Sequence, residues 1–311
     1  FPEGFCTRKA QDYRARCLSR RGNSTSTDMA WEGYDFVIAQ PQNAVTGKSL
    51  LRGAQIYYQR KKYQRSVDLY IELEKIAEYK SNILAARIGT MRGYFLLREY
   101  PLATEAAREV ISTDKVGSEI LAEAHYIIAK SAFETDNYNL ALKEFRITES
   151  LTHSEIGAAS LYYVAYVQYL RSEHDSSEKS IFKLSSRSPS YDHWVAKGFI
   201  LLADNYVQMD NAFQAKATLQ SIIDNSGNEE LVNIAREKLE KIVEEEALNQ
   251  KREIESMDFE IEFEDYDIKY DELFEQDEED DEQEPDNGKG EEDGKSIPGE
   301  SPENEEDEKQ D

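Results

Sequence analysis

The chain has little of what most catalytic and metal sites need. Its 311 residues include two cysteines and four histidines. Cys6 and Cys17 stand eleven apart on what reads as one helix, which at about 1.5 Å rise per residue separates them by roughly 16 Å, beyond disulfide reach. Both are expected as core thiols. None of His125, His153, His174 and His193 has a histidine or cysteine partner at ligand spacing, so no metal site and no cofactor is expected. No Gly-x-Ser-x-Gly elbow occurs. Gly47-Lys48-Ser49 has Gln42 where a phosphate loop needs glycine, and the Gly290–Ser296 fragment has the wrong spacing among carboxylates. The stretch from Lys289 to Glu300 has Gly294 and Glu300 where a calcium loop would, but Lys289 takes the first ligand position and Pro298 interrupts it. No run approaches 18 apolar residues, so no transmembrane helix is predicted. Basic residues are scarce as well, 37 against 63 acidic, which argues against nucleic acid as a partner.

The charge is unevenly placed. Residues 258–311 hold 27 acids and 4 lysines, a net of −23, whereas the rest of the chain is near neutral at −3. The tail is rich in Glu and Asp with Pro, Gly and Ser, and is predicted to be disordered from 258 onward.

What the chain does have is a repeat. Small residues recur at Ala30, Ser66, Ala103, Ala141, Ser177 and Ala215, at intervals of 36, 37, 38, 36 and 38. Four residues later stand Tyr34, Tyr70, Ala107, Phe145, Ile181 and Leu219, large except for Ala107. Twelve residues before the last five small positions stand Ala54, Met91, Ala129, Ala165 and Ala203. Two helices per repeat, crossing closely where the side chains are small, account for this spacing. Turn signals precede Tyr63, Tyr100, Tyr138 and Ala212, and a further one falls at Glu173-His174-Asp175. Pro41 and Pro189 separate repeats, and Pro2 stands at the same offset, so the chain is expected to open at the end of an earlier repeat.

The expected architecture is all-α, a right-handed α-solenoid of about six helix pairs over 1–228 (3–40, 41–78, 79–116, 117–153, 154–190 and 191–228). In the first pair the helices are expected near 7–20 and 28–39, with the polar stretch 21–28 as a long turn. Gly227 and Asn228 read as a helix stop and a new N-cap, followed by a capping helix over 229–257. Its predicted apolar residues are Leu231, Ile234, Ala235, Leu239, Ile242 and Val243.

The pattern resembles the tetratricopeptide repeat (TPR), most clearly at Ala129, Tyr138, Ala141 and Phe145, then Ala165 and Pro189. Segments 83–111 and 193–225 are similar to the C-terminal portion of the large TPR proteins of Bacteroidota, a likeness covering about 29–250. The resemblance implies an assembly scaffold in the cell envelope, an array longer toward the N terminus, and no catalytic residues. Composition itself selects no compartment, and the cytoplasm stays open.

In TPR-like arrays the first helix of each pair lines the inner face. Reading one residue after the small position gives Arg16, Gln55, Arg92, Lys130, Tyr166 and Asp204; four after gives Tyr58, Phe95, Phe133 and Tyr169; three before gives Tyr126 and Tyr162. These rings beside Arg92 and Lys130 suit a peptide carrying acidic and aromatic side chains, although the same rings could simply pack between helices. In the tail, 258–274 alternates acids with eight large apolar residues. It reads as a linear motif, with Phe259, Phe263 and Tyr266 as anchors, that adds to a partner's sheet edge or folds back onto the groove. The function expected is a non-enzymatic protein-interaction scaffold. The alternatives are an acidic chaperone whose tail shields basic clients, or the regulatory repeats of a larger chain.

Overall fold

The structure, a computed structural model, describes the backbone of residues 10–18 and 24–275, and the side chains of 10–18 and 29–256. The described residues are helical, with no strand among them. After α1 (10–18) come α2 (Ser24–Ile38), α3 (Thr46–Gln59), α4 (Tyr63–Ile76), α5 (Lys80–Leu96), α6 (Tyr100–Ile111), α7 (Ser118–Glu134), α8 (Tyr138–Leu151), α9 (Glu155–Leu170), α10 (His174–Ser185), α11 (Asp192–Gln208), α12 (Ala212–Asn225) and α13 (Glu229–Glu275). Two compact units result, 1–246 and 247–311.

From α2 to α12 each helix packs on its neighbours in sequence, and odd-numbered helices also touch one another: α3 on α5, α5 on α7, α7 on α9 and α9 on α11. The odd helices therefore form an inner layer and the even ones an outer layer. The repeating small residues sit at the crossings: Ala30, Ser66, Ala103, Ala141, Ser177 and Ala215 are all fully buried, as are Ala54, Met91, Ala129 and Ala165. Where the small residue is serine, its hydroxyl donates to the carbonyl twelve residues earlier, Ser66 to Ala54 at 2.8 Å and Ser177 to Ala165 at 2.9 Å. This satisfies a polar group that would otherwise be costly to bury. Tyr34, Tyr70, Phe145, Ile181 and Leu219 fill the space one turn on.

The turns inside repeats share one conformation. Lys61, Arg98, Asp136, Ser172 and Asp210 have φ between 54° and 62°, and each stands two residues before an even helix. The amide after each donates back to the preceding odd helix, as in Lys62 to Tyr57 at 2.9 Å and Asn211 to Tyr206 at 2.8 Å. This is the left-handed C-terminal cap that satisfies the last carbonyls of a helix. Helices α4, α6, α8 and α12 begin at the residues the turn signals pointed to, and α10 at His174 within its own.

Several expectations are corrected. Helix α2 starts at Ser24, so most of the polar stretch read as a long turn is helical; its Ser and Thr residues are compatible with a first turn. Cys17 is exposed, because it lies off the face through which α1 packs Ala15, and so is not a core thiol; Cys6 lies outside the described residues. Asn228 does cap α13, accepting from the Leu231 amide at 3.2 Å. Leu231, Ala235 and Ile242 are buried with Val232, whereas Val243 is half exposed and Ile234 lies at the edge of the packed face. The largest difference is that α13 does not stop at 257. It runs 47 residues, to Glu275, and takes in 258–274 as helix. Apolar residues at 259, 263, 266, 270 and 273 recur at intervals of four and three, a helical period that acid–apolar alternation obscures. The rest of the acidic tail lies outside the described residues.

Candidate functional site

Six of the residues predicted to line the inner face, Gln55, Tyr58, Arg92, Tyr162, Tyr166 and Asp204, lie at two clefts. The first, about 220 Å³, lies between α3, α4 and α5 and is lined by Gln55, Tyr58, Tyr70, Ile88, Gly89 and Arg92. Arg92 already has a partner, since its Nε and Nη2 donate to the two carboxylate oxygens of Glu123 on α7, both at 2.6 Å. That bidentate bond raises the Arg92 pKa and ties one repeat to the next.

The second cleft, about 240 Å³, lies between α9, α11 and α13, with Tyr162, Tyr166, Lys197, Asp204, Ile234 and Lys238 around it. Tyr162 and Tyr166 of its wall stack at 6.1 Å, and Tyr169, outside the lining, continues the stack on Tyr166 at 6.3 Å, the planes within 8° and 10°. One-turn spacing on a single helix produces this ladder. Lys238 donates to Asp204 at 2.6 Å. Lys197 lies over the rings of Tyr162, at 5.3 Å, and Trp194, at 5.1 Å, and forms no ion pair among the described residues.

Phe133 and Lys130 lie between the clefts. The Lys130 ammonium sits 4.2 Å from the Tyr163 ring centre and 4.9 Å from that of Phe133, and donates to Glu134 at 2.7 Å. Phe133 itself meets Tyr138, Tyr163 and Tyr166. Two predicted residues are engaged mainly in packing. Phe95 lies against Tyr100 and the core between α5 and α7, and Tyr126 sets its edge on fully buried Phe145 at 6.0 Å. Arg16 joins neither cleft.

Trp194, Lys197, Tyr163 and Lys238 were not anticipated. Lys197 stands six residues before Ala203, where Ala85 and Glu123 stand in earlier repeats. Following the inner face one helical turn further toward the helix start would have found it.

Several other polar groups are paired within the structure. Asn205, fully buried, donates to Ser177 Oγ at 3.0 Å and to the Leu201 carbonyl at 2.8 Å, and its Oδ1 lies 3.0 Å from His174 Nδ1. His125 bonds Glu144 at 2.6 Å. Among the described residues no group of three metal-ligating side chains gathers, and no helix is long and apolar enough to cross a membrane.

Burial, the largest cause in each case, raises the pKa of Tyr70, Tyr126 and Tyr162; it pushes Tyr206 up to about 12, assisted by its hydrogen bond to Glu178. A tyrosine raised in the folded state keeps its proton when the unfolded chain has lost it, so stability falls as pH rises through the ordinary value of 10.0. Between about pH 8 and 9.5 these tyrosines should leave the chemical denaturation midpoint unchanged, and between about pH 10 and 12 they should lower it. A flat midpoint across that range would contradict the burial of these hydroxyls.

These features define a class, an α-solenoid of stacked helix pairs with a ring-lined inner layer, a fold like that of tetratricopeptide repeat proteins. No protein-family model matches the chain, nor does any curated protein. In structure it is similar to a tetratricopeptide repeat protein from Parabacteroides merdae, 17% identical, over 75% of this chain and 85% of that one, with a TM-score of 0.55. It is also similar to the C-terminal part of a TPR repeat-containing protein from Cytophaga hutchinsonii, 14% identical, over 70% and 78% of the two chains, TM-score 0.52. The apo form of RapI gives 0.51 at 13% identity, over 78% of this chain and 99% of that one. At these identities the likeness is one of fold.

Proposed function

We propose that the chain is a protein-interaction scaffold, without a catalytic role of its own, that takes an extended segment of a partner along the inner layer of its solenoid. The observation that carries this reading is the Tyr162–Tyr166–Tyr169 stack beside Lys197. The three rings are partly exposed and stand one helical turn apart, and Tyr162 and Tyr166 line a cleft. Rings of this kind bury apolar side chains, and Lys197 can meet a carboxylate without breaking an internal ion pair. Arg92 and Lys130 are committed to Glu123 and Glu134, so their part is to shape the first cleft and the bridge between the two. The ligand chemistry that fits is an aromatic or aliphatic residue next to an acidic one.

Selection of a random peptide library on the full chain tests this. The enriched peptides should pair aromatic with acidic residues, and Tyr166→Ala or Lys197→Glu should weaken them at least about tenfold, the effect of about 1.4 kcal/mol. Selected peptides that bind both variants as well as the native chain would sink the reading.

The charge distribution favours a second reading, the acidic chaperone. Binding driven by residues 258–311 should collapse between low and moderate salt, whereas cleft binding should largely persist.

A further inference from the structure

Past Glu246 the long helix α13 belongs to a unit separate from the solenoid, and its backbone stays helical to Glu275. At about 100° per residue, positions 259, 263, 266, 270, 273 and 274 share one face, an arc of about 100°. Those positions hold Phe, Phe, Tyr, Tyr, Leu and Phe. Residues 258–275 also hold nine acids and one lysine, a net of −8, and none of those charged residues falls on that arc at helical spacing. Of the eight large apolar residues only Ile261 and Ile268 fall opposite the arc, among the acids; the arc itself, free of charge, is a face for burial with a rim for electrostatics.

We infer that this stretch of α13 is a docking helix for a partner protein whose groove has an apolar floor and Lys or Arg along both rims. Charge selects that occupant over the others. A second copy would set −8 against −8, whereas helices that pair through an apolar seam place opposite charges beside it. A membrane surface is met by helices with cations, not acids, on the polar face. A basic rim both steers the encounter and rejects acidic competitors. The inference is independent of the inner-layer clefts, so either can fail alone.

Photo-cross-linking of the full chain in its native cells tests it, with benzoylphenylalanine replacing Phe263 on the apolar face in one version and Glu264 off it in another. The expected result is an adduct at least about tenfold stronger at 263 than at 264. Its partner peptide should be an apolar segment flanked by Lys or Arg, and the adduct should be lost when Phe259→Ala and Tyr266→Ala are added. The inference is overturned by equal yields at the two positions, by no adduct at all, or by an adduct on an acidic or uncharged surface. An adduct to a second copy's α13, to lipid, or to this chain's own inner layer overturns it as well.

Discussion

Phe145→Ala is expected to cost about 3–5 kcal/mol, the usual range for emptying a buried aromatic site. Phe145 is fully buried, lies flat on Tyr163 at 5.1 Å and 9°, and receives the edge of Tyr126 at 6.0 Å. It also packs with Ala129, Ala132, Ala141 and Val164 at the crossing of α7, α8 and α9. Backbone fixes the positions of those alanines, so the void cannot close by side-chain movement, and the cost should lie in the upper half of the range. Each repeat of a solenoid is stabilised only by its neighbours. The loss should therefore divide the array, replacing one denaturation transition by two, with the repeats before and after α8 melting apart. Phe182→Ala is the control: that ring is 47% exposed and has one edge contact, to Phe199, so it should shift the midpoint by less than about 1 kcal/mol. Equal effects of the two substitutions would show that the aromatic cluster around α8 does not hold the middle of the array together.

Gly89→Ala should destabilise the protein by about 1–2 kcal/mol, although alanine in place of an interior helix glycine ordinarily stabilises by about 1 kcal/mol. Gly89 lies within α5, and a Cβ there would overlap the Tyr70 ring of α4. Tyr70 is buried in one cluster with Leu50, Leu69 and Leu73 and borders the first cleft, so the ring can yield only by leaving that packing for the cleft, and the cost of overpacking exceeds the gain in propensity. In a Tyr70→Leu background the overlap is gone, and Gly89→Ala should become neutral or stabilising. That reversal of sign in a double-mutant cycle is the diagnostic result. Both residues also line the first cleft, so a ligand of that cleft should bind Gly89→Ala less well even where folding is intact. An unchanged denaturation midpoint for Gly89→Ala would mean that α4 and α5 can separate freely.

The candidate site was legible in part, and the difference is instructive. Tyr162, Tyr166 and Tyr169 could be placed on one face from spacing alone, because a single helix carries all three. That Tyr126 and Phe95 serve packing could not be read from position, because it depends on which ring the second helix of the same repeat turns toward each, Phe145 and Tyr100. The same holds for charge. Arg92 looked available in the sequence, yet Glu123 neutralises it from 31 residues away; nothing local to Arg92 announces that partner.

The left-handed turns show a similar limit. Their positions followed from the repeat, but their conformation did not, since Lys, Arg, Asp, Ser and Asp occupy them and glycine, the usual sign, is absent. Five copies of one helix crossing impose a backbone shape that no single residue prefers. The acidic–aromatic segment went the other way. Its helical spacing was present in the sequence throughout, but a dense alternation of acids masked it, and the backbone of α13 shows which period applies.

By itself, then, the sequence determined what depends on one helix or one turn: the repeat length, the small residues at each crossing, the starts of α4, α6, α8 and α12, and the cap at Asn228. Tertiary structure alone decided which cations are already neutralised, which rings are spent on packing, where the two clefts open and where Lys197 faces the tyrosines. Local spacing is written along the chain. Those other properties belong to pairs of residues that lie mostly on different helices, some within one repeat and some in adjacent repeats, and that meet only when the helices pack.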